Sequence, residues 1–418
     1  MVLVQVSKPM RRVVFLSLLG LLASSAVSIS ELDTFEAKSA RFAGKLEKWS
    51  EENRAQDAIT AYESLLREYR RLPQELKVKH RTTMAVNLYF LATAYSQVGK
   101  LDHAMMRLTQ AQDIYPLDAP TMSTIETLAK LHGRADFALL IERMKRDQSK
   151  TLLLQSAPGY ERYSGKDVPA FSTSRTHESL QSLRERYKLD EVAGQGTVEE
   201  KALRLMRWMH KKVRHNGNNP WPAVRTAEAI LPQCEKDGLE LNCRMLSTVL
   251  NDCYLAMGFD SRIVQCSPLD PYDQDCHVIN AVWVADTKRW IWLDPTNEAW
   301  FVDKKGRLLS IPEVRQAIRA GTDLKLGQDL NWNGEPVTKT YYMEYMAKNL
   351  YWFSVPVENR VGYENDETEI RTYVQLVPKG SAYPSKAGWT EFRNDSGITI
   401  RSFTTSDDAW FWSPPAKN

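Results

Sequence analysis

The chain has 418 residues, which is enough for two or three domains, and an apolar fraction of 43%, which is ordinary for a globular protein. Its formal net charge is +3, and three of the basic residues, Lys8, Arg11 and Arg12, lie in a segment that we expect to be removed. A nearly neutral chain gives no indication of nucleic-acid binding, so no nucleic-acid partner is expected.

The N-terminus has the pattern of a secretory signal peptide, which we place at residues 1–28. A basic segment at 8–12 precedes an apolar run from Val13 to Leu22, and small residues suited to cleavage follow. The run is shorter than the roughly 20 apolar residues that a membrane-spanning helix needs. We therefore expect an exported protein, periplasmic or secreted, without stable membrane insertion after cleavage. An uncleaved membrane anchor is the alternative.

Residues 31–148 have a helical pattern that contains a repeat. Gly99 and Ala104 recur as Gly133 and Ala138, 34 residues later, and this spacing is the period of the tetratricopeptide repeat. The best copy is similar to the consensus of that repeat at Leu88, Leu91, Ala92, Tyr95, Gly99, Ala104, Leu108, Ala111 and Pro116. The pattern predicts all-α, tetratricopeptide-like repeats whose concave surface binds a peptide or protein partner. An unrelated helical bundle is the alternative.

Residues 149–196 are predicted to form a linker with one helix. Loop-like sequences occur at 156–159 and 171–174, and the segment from His177 to Lys188 has a helical pattern. The next predicted domain covers residues 197–329 and contains the residues with the clearest chemical pattern.

Cys243, His277 and Asp294, in that order, have the types and positions of a nucleophilic triad. Cys243 lies at the start of a helical pattern, His277 opens an apolar strand, and Asp294 closes the next strand. A helix N-terminus and an imidazole both favour the thiolate over the thiol, whose ordinary pKa is about 8.5. A carboxylate behind the imidazole fixes its tautomer and orientation. Taken singly, each residue has a simpler explanation, as a core cysteine, a buried histidine or a turn aspartate.

The two strands are predicted to pair as a hairpin across the polar turn 286–289. With an even-length loop, odd positions of the first strand share a face with even positions of the second. His277 then lies on the same face as Asp294, whereas a shift of one residue would separate them. The triad therefore requires one particular strand register.

Motifs around these residues resemble the transglutaminase-like superfamily, whose core is papain-like. The segment Trp292–Thr296 is similar to that family's Trp-x-Asp-Pro-Thr ending, and Gly258 with Arg262 is similar to its step from helix to strand. The resemblance covers residues 195–315. It implies an α+β papain-like fold for the predicted core at 197–329.

The resemblance also implies a cysteine enzyme that works through a thioester on Cys243, as a hydrolase or as an acyltransferase. The expected substrates are amide bonds of peptides, proteins or cell-wall material, and neither a cofactor nor a metal ion is expected. The residues near the triad depart from the family's pattern at Leu241, Met245, Val278 and Ile279. These departures leave open a catalytically inactive binding or scaffold protein that works through its helical repeats.

A covalent mechanism of this kind needs two hydrogen-bond donors for the oxyanion. The backbone N–H of Cys243 is one candidate. Gln233, Asn242 and Trp221, which all precede the cysteine, are the candidates for the second donor. The sequence alone does not separate them.

All five cysteines lie between residues 234 and 276. If Cys243 is the free nucleophile, an oxidising compartment permits disulfides among the others. Cys266 ends one predicted strand and Cys276 begins the next, so we expect these two residues to form a disulfide. Zinc binding is the competing interpretation, although the chain contains no Cys-x-x-Cys pair.

Residues 330–418 are predicted to form a β-rich, aromatic C-terminal extension that completes the catalytic core. Glu369–Pro378 has the pattern of a strand that ends at proline, and an aromatic segment follows at 409–412. Such aromatic residues are more often core and edge packing than a platform for carbohydrate, and both interpretations stay open. The predicted fold class is multidomain: all-α tetratricopeptide-like repeats, an α+β papain-like core and a β-rich extension.

Overall fold

The computed structural model describes residues 34–162, 168–270, 273, 275–365, 367–381, 388–394 and 396–415. The predicted signal peptide, residues 1–28, lies outside these described residues. The chain divides after Ser149 into two compact units, and each unit has hydrophobic core clusters of its own. Among the described residues, no helix is both long enough and apolar enough to cross a membrane.

The first unit is helical, as the sequence predicts. A 3-10 helix covers Glu126–Leu131, and the α-helices are α1 (Thr34–Ala43), α2 (Leu46–Glu51), α3 (Ala55–Arg71), α4 (Gln74–Lys79), α5 (Arg81–Gln97), α6 (Leu101–Ile114), α7 (Ala119–Thr124) and α8 (Ala135–Gln148).

Small residues allow α5 and α6 to pack closely, at the positions that the repeat pattern predicts. Ala92 on α5 and both Ala104 and Ala111 on α6 are fully buried. Gly99 lies in the turn between the two helices with a φ of +79°, a left-handed conformation that glycine adopts without steric penalty. This helix pair therefore has the local structure that its sequence indicates.

The 34-residue repeat does not continue regularly into the next helices. Ala138, the counterpart of Ala104, is exposed on α8, and Gly133, the counterpart of Gly99, does not have a left-handed φ. The helix expected before Gly133 is divided into the short α7 and the 3-10 helix, and Ile125 between them has an extended backbone conformation. The unit is helical, but the structure does not confirm tetratricopeptide repeats.

We predict that Gly99→Ala lowers the free energy of unfolding of the helical unit by about 1 kcal/mol, because a side chain is disfavoured at a positive φ. The effect should come from the backbone alone, since no neighbouring atom lies within 4 Å of the added Cβ. Gly133→Ala is the matched control, because its Cβ is equally unobstructed and its φ is ordinary. Urea unfolding followed by circular dichroism measures both variants, and equal effects would contradict the backbone explanation.

The second unit combines helices with a large sheet. Its α-helices are α9 (Lys150–Ser156), α10 (Ser179–Arg186), α11 (Leu189–Ala193), α12 (Val198–Lys212), α13 (Ala227–Asp237), α14 (Cys243–Ala256), α15 (Ile311–Arg319), α16 (Lys339–Asn349) and α17 (Asp408–Phe411). Its strands are β1 (Ser172–Thr173), β2 (Ser261–Ser267), β3 (His277–Val284), β4 (Arg289–Leu293), β5 (Phe301–Val302), β6 (Lys325–Leu326), β7 (Asn331–Trp332), β8 (Glu335–Pro336), β9 (Trp352–Pro356), β10 (Glu358–Asn359), β11 (Ile370–Leu376), β12 (Gly388–Arg393) and β13 (Thr399–Thr405).

A seven-stranded mixed sheet lies at the centre of this unit, in the order β12-β13-β11-β9-β2-β3-β4. β3 and β4 pair antiparallel with Ala281 opposite Trp292, which is the register that the sequence predicts for the hairpin. β9 pairs with β2, while β11 and β13 are parallel neighbours. After residue 330, the strands β9, β11, β12 and β13 therefore extend the same sheet that carries His277.

The sheet has a hydrophobic core on each face. α12 and α14 cover one face, where Val282 and Leu293 are buried. α9, α15 and α16 cover the other face, where Ile279 and Trp292 are buried. The alternation of side chains along β3 and β4 thus sends neighbouring residues into two different cores.

Residues 149–196 are not a linker, and that prediction is wrong. Leu154 of α9 is buried in one core of the second unit, and the backbone N–H of Lys150 donates to the Glu344 carboxylate at 2.6 Å. Leu180 of α10 and Leu189 of α11 are buried in the other core. These helices are short and contribute few apolar residues each, so their periodicity is too weak to identify from sequence.

Candidate active site

Cys243 is the first residue of α14, and its half-buried side chain faces a cleft. Asn242 caps the helix, since its Oδ1 accepts a hydrogen bond from the Met245 backbone N–H at 3.0 Å; asparagine is favoured at this position for that reason. The first N–H groups of a helix have no acceptor within the helix and carry partial positive charge, which favours a thiolate. The buried Leu246 and Leu250 fix the helix, and with it the thiol, against the sheet.

His277 is hydrogen-bonded to Asp294, and both side chains are buried. The imidazole Nε2–H donates to Asp294 Oδ2 at 2.8 Å. The other oxygen, Oδ1, accepts from the backbone N–H groups of Thr296 at 2.9 Å and Asn297 at 3.3 Å. Oδ2 also accepts from Asn297 Nδ2 at 3.1 Å and from the Tyr342 hydroxyl at 2.8 Å. These donors orient the carboxylate and favour its charged form.

The thiol and the imidazole originate on opposite faces of the sheet and meet at its end. Alternation along β3 places His277 on the face of Ile279, whereas α14 covers the other face. The two side chains still interact, because His277 is the first residue of β3 and Cys243 is the first residue of α14. Asp294 holds Nε2 of His277, so Nδ1 is the ring nitrogen left for the thiol.

The charges in this site support one another. Burial opposes ionisation of the Cys243 thiol, but hydrogen bonds from His215 and His277 and the charge of His277 outweigh burial and lower its pKa to about 6. Burial likewise opposes a charged imidazole, yet the charge of Asp294 and its hydrogen bond raise the pKa of His277 to about 10. The pKa of Asp294 lies below its ordinary value, because the charge of His277 and the hydrogen bonds outweigh burial. Together these shifts favour a thiolate–imidazolium pair at neutral pH.

The thiol opens into a cleft with a volume of about 640 Å³. Trp221, which precedes the cysteine, forms one part of the wall. Trp332, Tyr341 and Tyr345, from later in the chain, form another part. The predicted C-terminal extension therefore contributes directly to the cleft, and the cleft has large aromatic surfaces close to the thiol.

The structure distinguishes among the three predicted oxyanion donors, because only two of them line the cleft. Gln233 is exposed on α13, and its amide donates to the carbonyl of Ala229 in the same helix; it does not line the cleft, so that prediction is wrong. Helical periodicity does not show which way a polar residue faces until the helix is packed. Asn242 and Trp221 both line the cleft. The oxygen of Asn242 is used to cap α14, and the Trp221 ring lies 5.7 Å from the Arg244 guanidinium.

All five cysteines are free thiols, so the predicted disulfide between Cys266 and Cys276 is wrong. Cys266 lies opposite His277 in the β2–β3 ladder, and Cys276 is the residue before His277. Neighbouring residues of a strand point to opposite faces, so Cys266 shares a face with His277 and not with Cys276. In the described part of the chain, no group of three or more His, Cys, Asp or Glu side chains is arranged to hold a metal ion.

Tyr342 and His215 interact with triad residues, and both are absent from the sequence-based prediction. Tyr342 donates to Asp294 from α16, and His215 interacts with the Cys243 thiol from the segment after α12. Neither has a local signal, since Tyr342 lies in a tyrosine-rich helix and His215 is one of seven histidines in the chain. Both are distant in sequence from the residues that they contact.

A family model described as the transglutaminase-like superfamily matches residues 186–295, a segment that contains all three triad residues. These residues form a transglutaminase-like domain. The matched segment begins within α10 and ends one residue after Asp294. Tyr342 and the tyrosines of the cleft wall lie beyond it.

No curated protein matches the chain in sequence. Among solved structures, the crystal structure of a candidate cysteine protease from Cytophaga hutchinsonii is similar over 37% of this chain and 51% of its own chain. The sequence identity is 16% and the TM-score is 0.23. The similarity thus spans about half the length of that protein.

We predict that alkylation of Cys243 by iodoacetamide rises with pH through a midpoint near 6, because the rate follows the thiolate fraction and the pKa of this thiol is about 6. His277→Ala removes contributions that lower this pKa, so the midpoint should move to higher pH. Peptide mass spectrometry assigns the adduct. Cys234 is the internal control, because burial raises its pKa to about 11. An unchanged midpoint in the variant would contradict the Cys243–His277 pairing.

Tyr342→Phe should lower the free energy of unfolding of the second unit by about 2 kcal/mol, since a hydrogen bond to a charged group contributes about 1.5–3 kcal/mol. The variant removes only the hydroxyl that donates to Asp294. Tyr341→Phe is the matched control, because Tyr341 is the preceding residue and is 66% exposed. Denaturant unfolding compares the two variants, and similar losses of stability would show that the bond to Asp294 is unimportant.

Proposed function

We propose that this protein is a cysteine hydrolase or acyltransferase that acts on amide bonds through a thioester on Cys243. The observation that supports this most directly is a thiol with a pKa lowered to about 6, beside an imidazole that is hydrogen-bonded to a buried carboxylate. A buried charged pair is expensive to keep in a protein interior. Such a pair beside a reactive thiol in a cleft supports an enzyme more than a scaffold.

In the proposed reaction, the Cys243 thiolate attacks the carbonyl carbon of an amide, and the carbonyl oxygen takes up an electron pair as the C–S bond forms. That pair returns when the C–N bond breaks, and the proton on His277 Nδ1 passes to the leaving amine. A thioester and a neutral imidazole remain. His277 then takes a proton from water or from a second amine as either attacks the thioester, and Cys243 leaves as the thiolate.

Asp294 would act through the orientation and charge of His277. Its carboxylate holds the Nε2–H throughout, so Nδ1 is the position that gains and loses a proton. Five hydrogen bonds hold the carboxylate itself. The imidazole therefore cannot turn away from the thiol without breaking a buried network.

The cleft walls support substrates with apolar or ring-bearing groups next to the amide. Trp221 and Trp332 are each close to half exposed where they line the cleft. Tyr341 and Tyr345 stack with nearly parallel rings 6.4 Å apart. Rigid aromatic surfaces contribute large contact areas to binding. We therefore propose peptides, proteins or cell-wall material as substrates, with water or an amine as the acceptor.

We further propose that the protein is exported and that the helical region, residues 31–148, recruits a polypeptide partner. The sequence pattern of residues 1–28 supports export. The separate hydrophobic core of the helical unit supports a role of its own. A catalytically inactive transglutaminase-like scaffold that works through these helices is the competing proposal.

Labelling with a thiol-reactive acyl probe at pH 7 distinguishes the two proposals. We expect an acyl adduct on Cys243 in the wild-type protein and none at this position in Cys243→Ala. Cys276→Ala is the matched control, because Cys276 also lines the cleft but burial raises its pKa; labelling should persist there. Asp294→Asn should slow labelling by about 10²–10⁴-fold. If the wild-type protein forms no adduct, the scaffold proposal replaces the enzyme.

A further inference from the structure

A second histidine, His215, interacts with the reactive thiol. It lies between α12 and α13, is half-buried and lines the cleft beside Cys243. Its hydrogen bond is one of the interactions that favour the thiolate. The triad mechanism uses His277 alone, so it assigns no role to this ring.

The tautomer of His215 is set by Trp332. The indole Nε1–H of Trp332 donates to His215 Nδ1 at 2.9 Å. An indole nitrogen is only a donor, so Nδ1 must be the acceptor, and the ring proton must lie on Nε2. Since Nδ1 is occupied by the indole, Nε2–H is the ring group that remains for the thiol.

The backbone around His215 is fixed at two places. Its N–H donates to Asn333 Oδ1 at 2.7 Å, and Asn333 Nδ2 donates to its carbonyl at 2.9 Å. Asn333 follows Trp332 in the tight turn between β7 and β8, an Asn-Gly sequence that favours a two-residue hairpin. One short hairpin thus holds both the ring and the backbone of His215. On its other side, His215 bridges to Leu241, two residues before Cys243.

The two imidazoles have hydrogen-bond partners of opposite kinds, an acceptor for His277 and a donor for His215. A carboxylate accepts a hydrogen bond from His277, which favours the cation and suits a residue that gives and takes protons. An indole N–H donates a hydrogen bond to His215, which requires an unprotonated nitrogen at that position. His215 is therefore arranged as a fixed hydrogen-bond donor and not as a base.

We propose that His215 is the second oxyanion donor, an inference that rests on the proposed acyl transfer at Cys243. Its Nε2–H and the backbone N–H of Cys243 bind the carbonyl oxygen while that oxygen carries the electron pair displaced by C–S bond formation. The bonds weaken when the pair returns and the C–N bond breaks. His215 lines the cleft beside Cys243 and, as a donor to the oxyanion, is a catalytic residue in this scheme. Trp332 is a positioning residue that acts through the tautomer.

Two reactions of the same thiol test this role. Iodoacetamide alkylates Cys243 by displacement at a saturated carbon, which forms no oxyanion. p-Nitrophenyl acetate acylates it through a tetrahedral intermediate, which does. Both rates are measured as a function of pH. They are compared on the plateau at high pH, where the thiol of each variant is fully ionised, so a change in the thiol pKa does not affect the comparison. Circular dichroism checks that each variant is folded, because the thiol of an unfolded chain is alkylated as well.

We expect His215→Ala to lower acylation by about 10²–10³-fold, the usual effect of removing one oxyanion donor, with little change in plateau alkylation. His215→Gln should recover part of the loss, because its amide N–H is a donor without a tautomer. Trp332→Phe should also lower acylation selectively, since it frees the ring to place its proton on Nδ1.

Equal plateau effects on the two reactions in His215→Ala would overturn the inference and leave the proposed function intact. A selective loss of acylation in Trp221→Phe, with none in the His215 variants, would assign the donor to Trp221 instead. A wild-type protein that is alkylated rapidly but not acylated would overturn both the inference and the proposed function.

Discussion

A charged imidazole and a carboxylate are both buried beneath the cleft, where either group alone would be strongly destabilising. His277 and Asp294 compensate each other through a 2.8 Å hydrogen bond. The remaining lone pairs of the carboxylate are occupied by donors from the following turn and from Tyr342. This pair places a charged imidazole beside the thiol of Cys243 and so favours its thiolate form.

The two histidines beside Cys243 have identical side chains, but their hydrogen-bond partners give them different chemical roles. His277 has a carboxylate behind it and Trp332 lies behind His215. The first arrangement stabilises a cation, and the second requires an unprotonated Nδ1. His277 can therefore transfer protons while His215 remains a hydrogen-bond donor, although both side chains lie beside the same sulfur.

The segment after residue 330 is part of the site, although it lies beyond the transglutaminase-like domain at 186–295. β9 continues the sheet from β2, so this segment is tied to the sheet that carries His277. α16, which precedes β9, packs on the face where His277 and Asp294 originate, and Tyr342 reaches the carboxylate. The β7–β8 hairpin provides Trp332 and Asn333 to His215. Removal of this segment would leave Asp294 without the Tyr342 donor and His215 without its hydrogen bonds with Trp332 and Asn333.

Several features follow from interactions that are local in sequence, and these are predictable. Asn242 before Cys243 marks a helix start because a side-chain cap needs only neighbouring N–H groups. The hairpin register follows from the length of one short loop, and the structure has the expected pairing of Ala281 with Trp292. The close packing of Ala92 and Ala104 follows from helical spacing within one helix pair.

Other features depend on contacts between distant segments, and the sequence could not determine them. The disulfide expected between Cys266 and Cys276 fails because the ladder sets Cys266 opposite His277, and Gln233 points to solvent because of how α13 packs. The segment 149–196 is packed in the core because α9 and α10 contact residues far away in the chain.

The sequence by itself determined the elements that carry Cys243, His277 and Asp294 and the register of the last two. Only the tertiary structure decided that the thiol meets the imidazole at the end of the sheet. It also decided that Tyr342, His215 and Trp332 complete the site. The reason is that each of these contacts joins residues that no local sequence pattern connects.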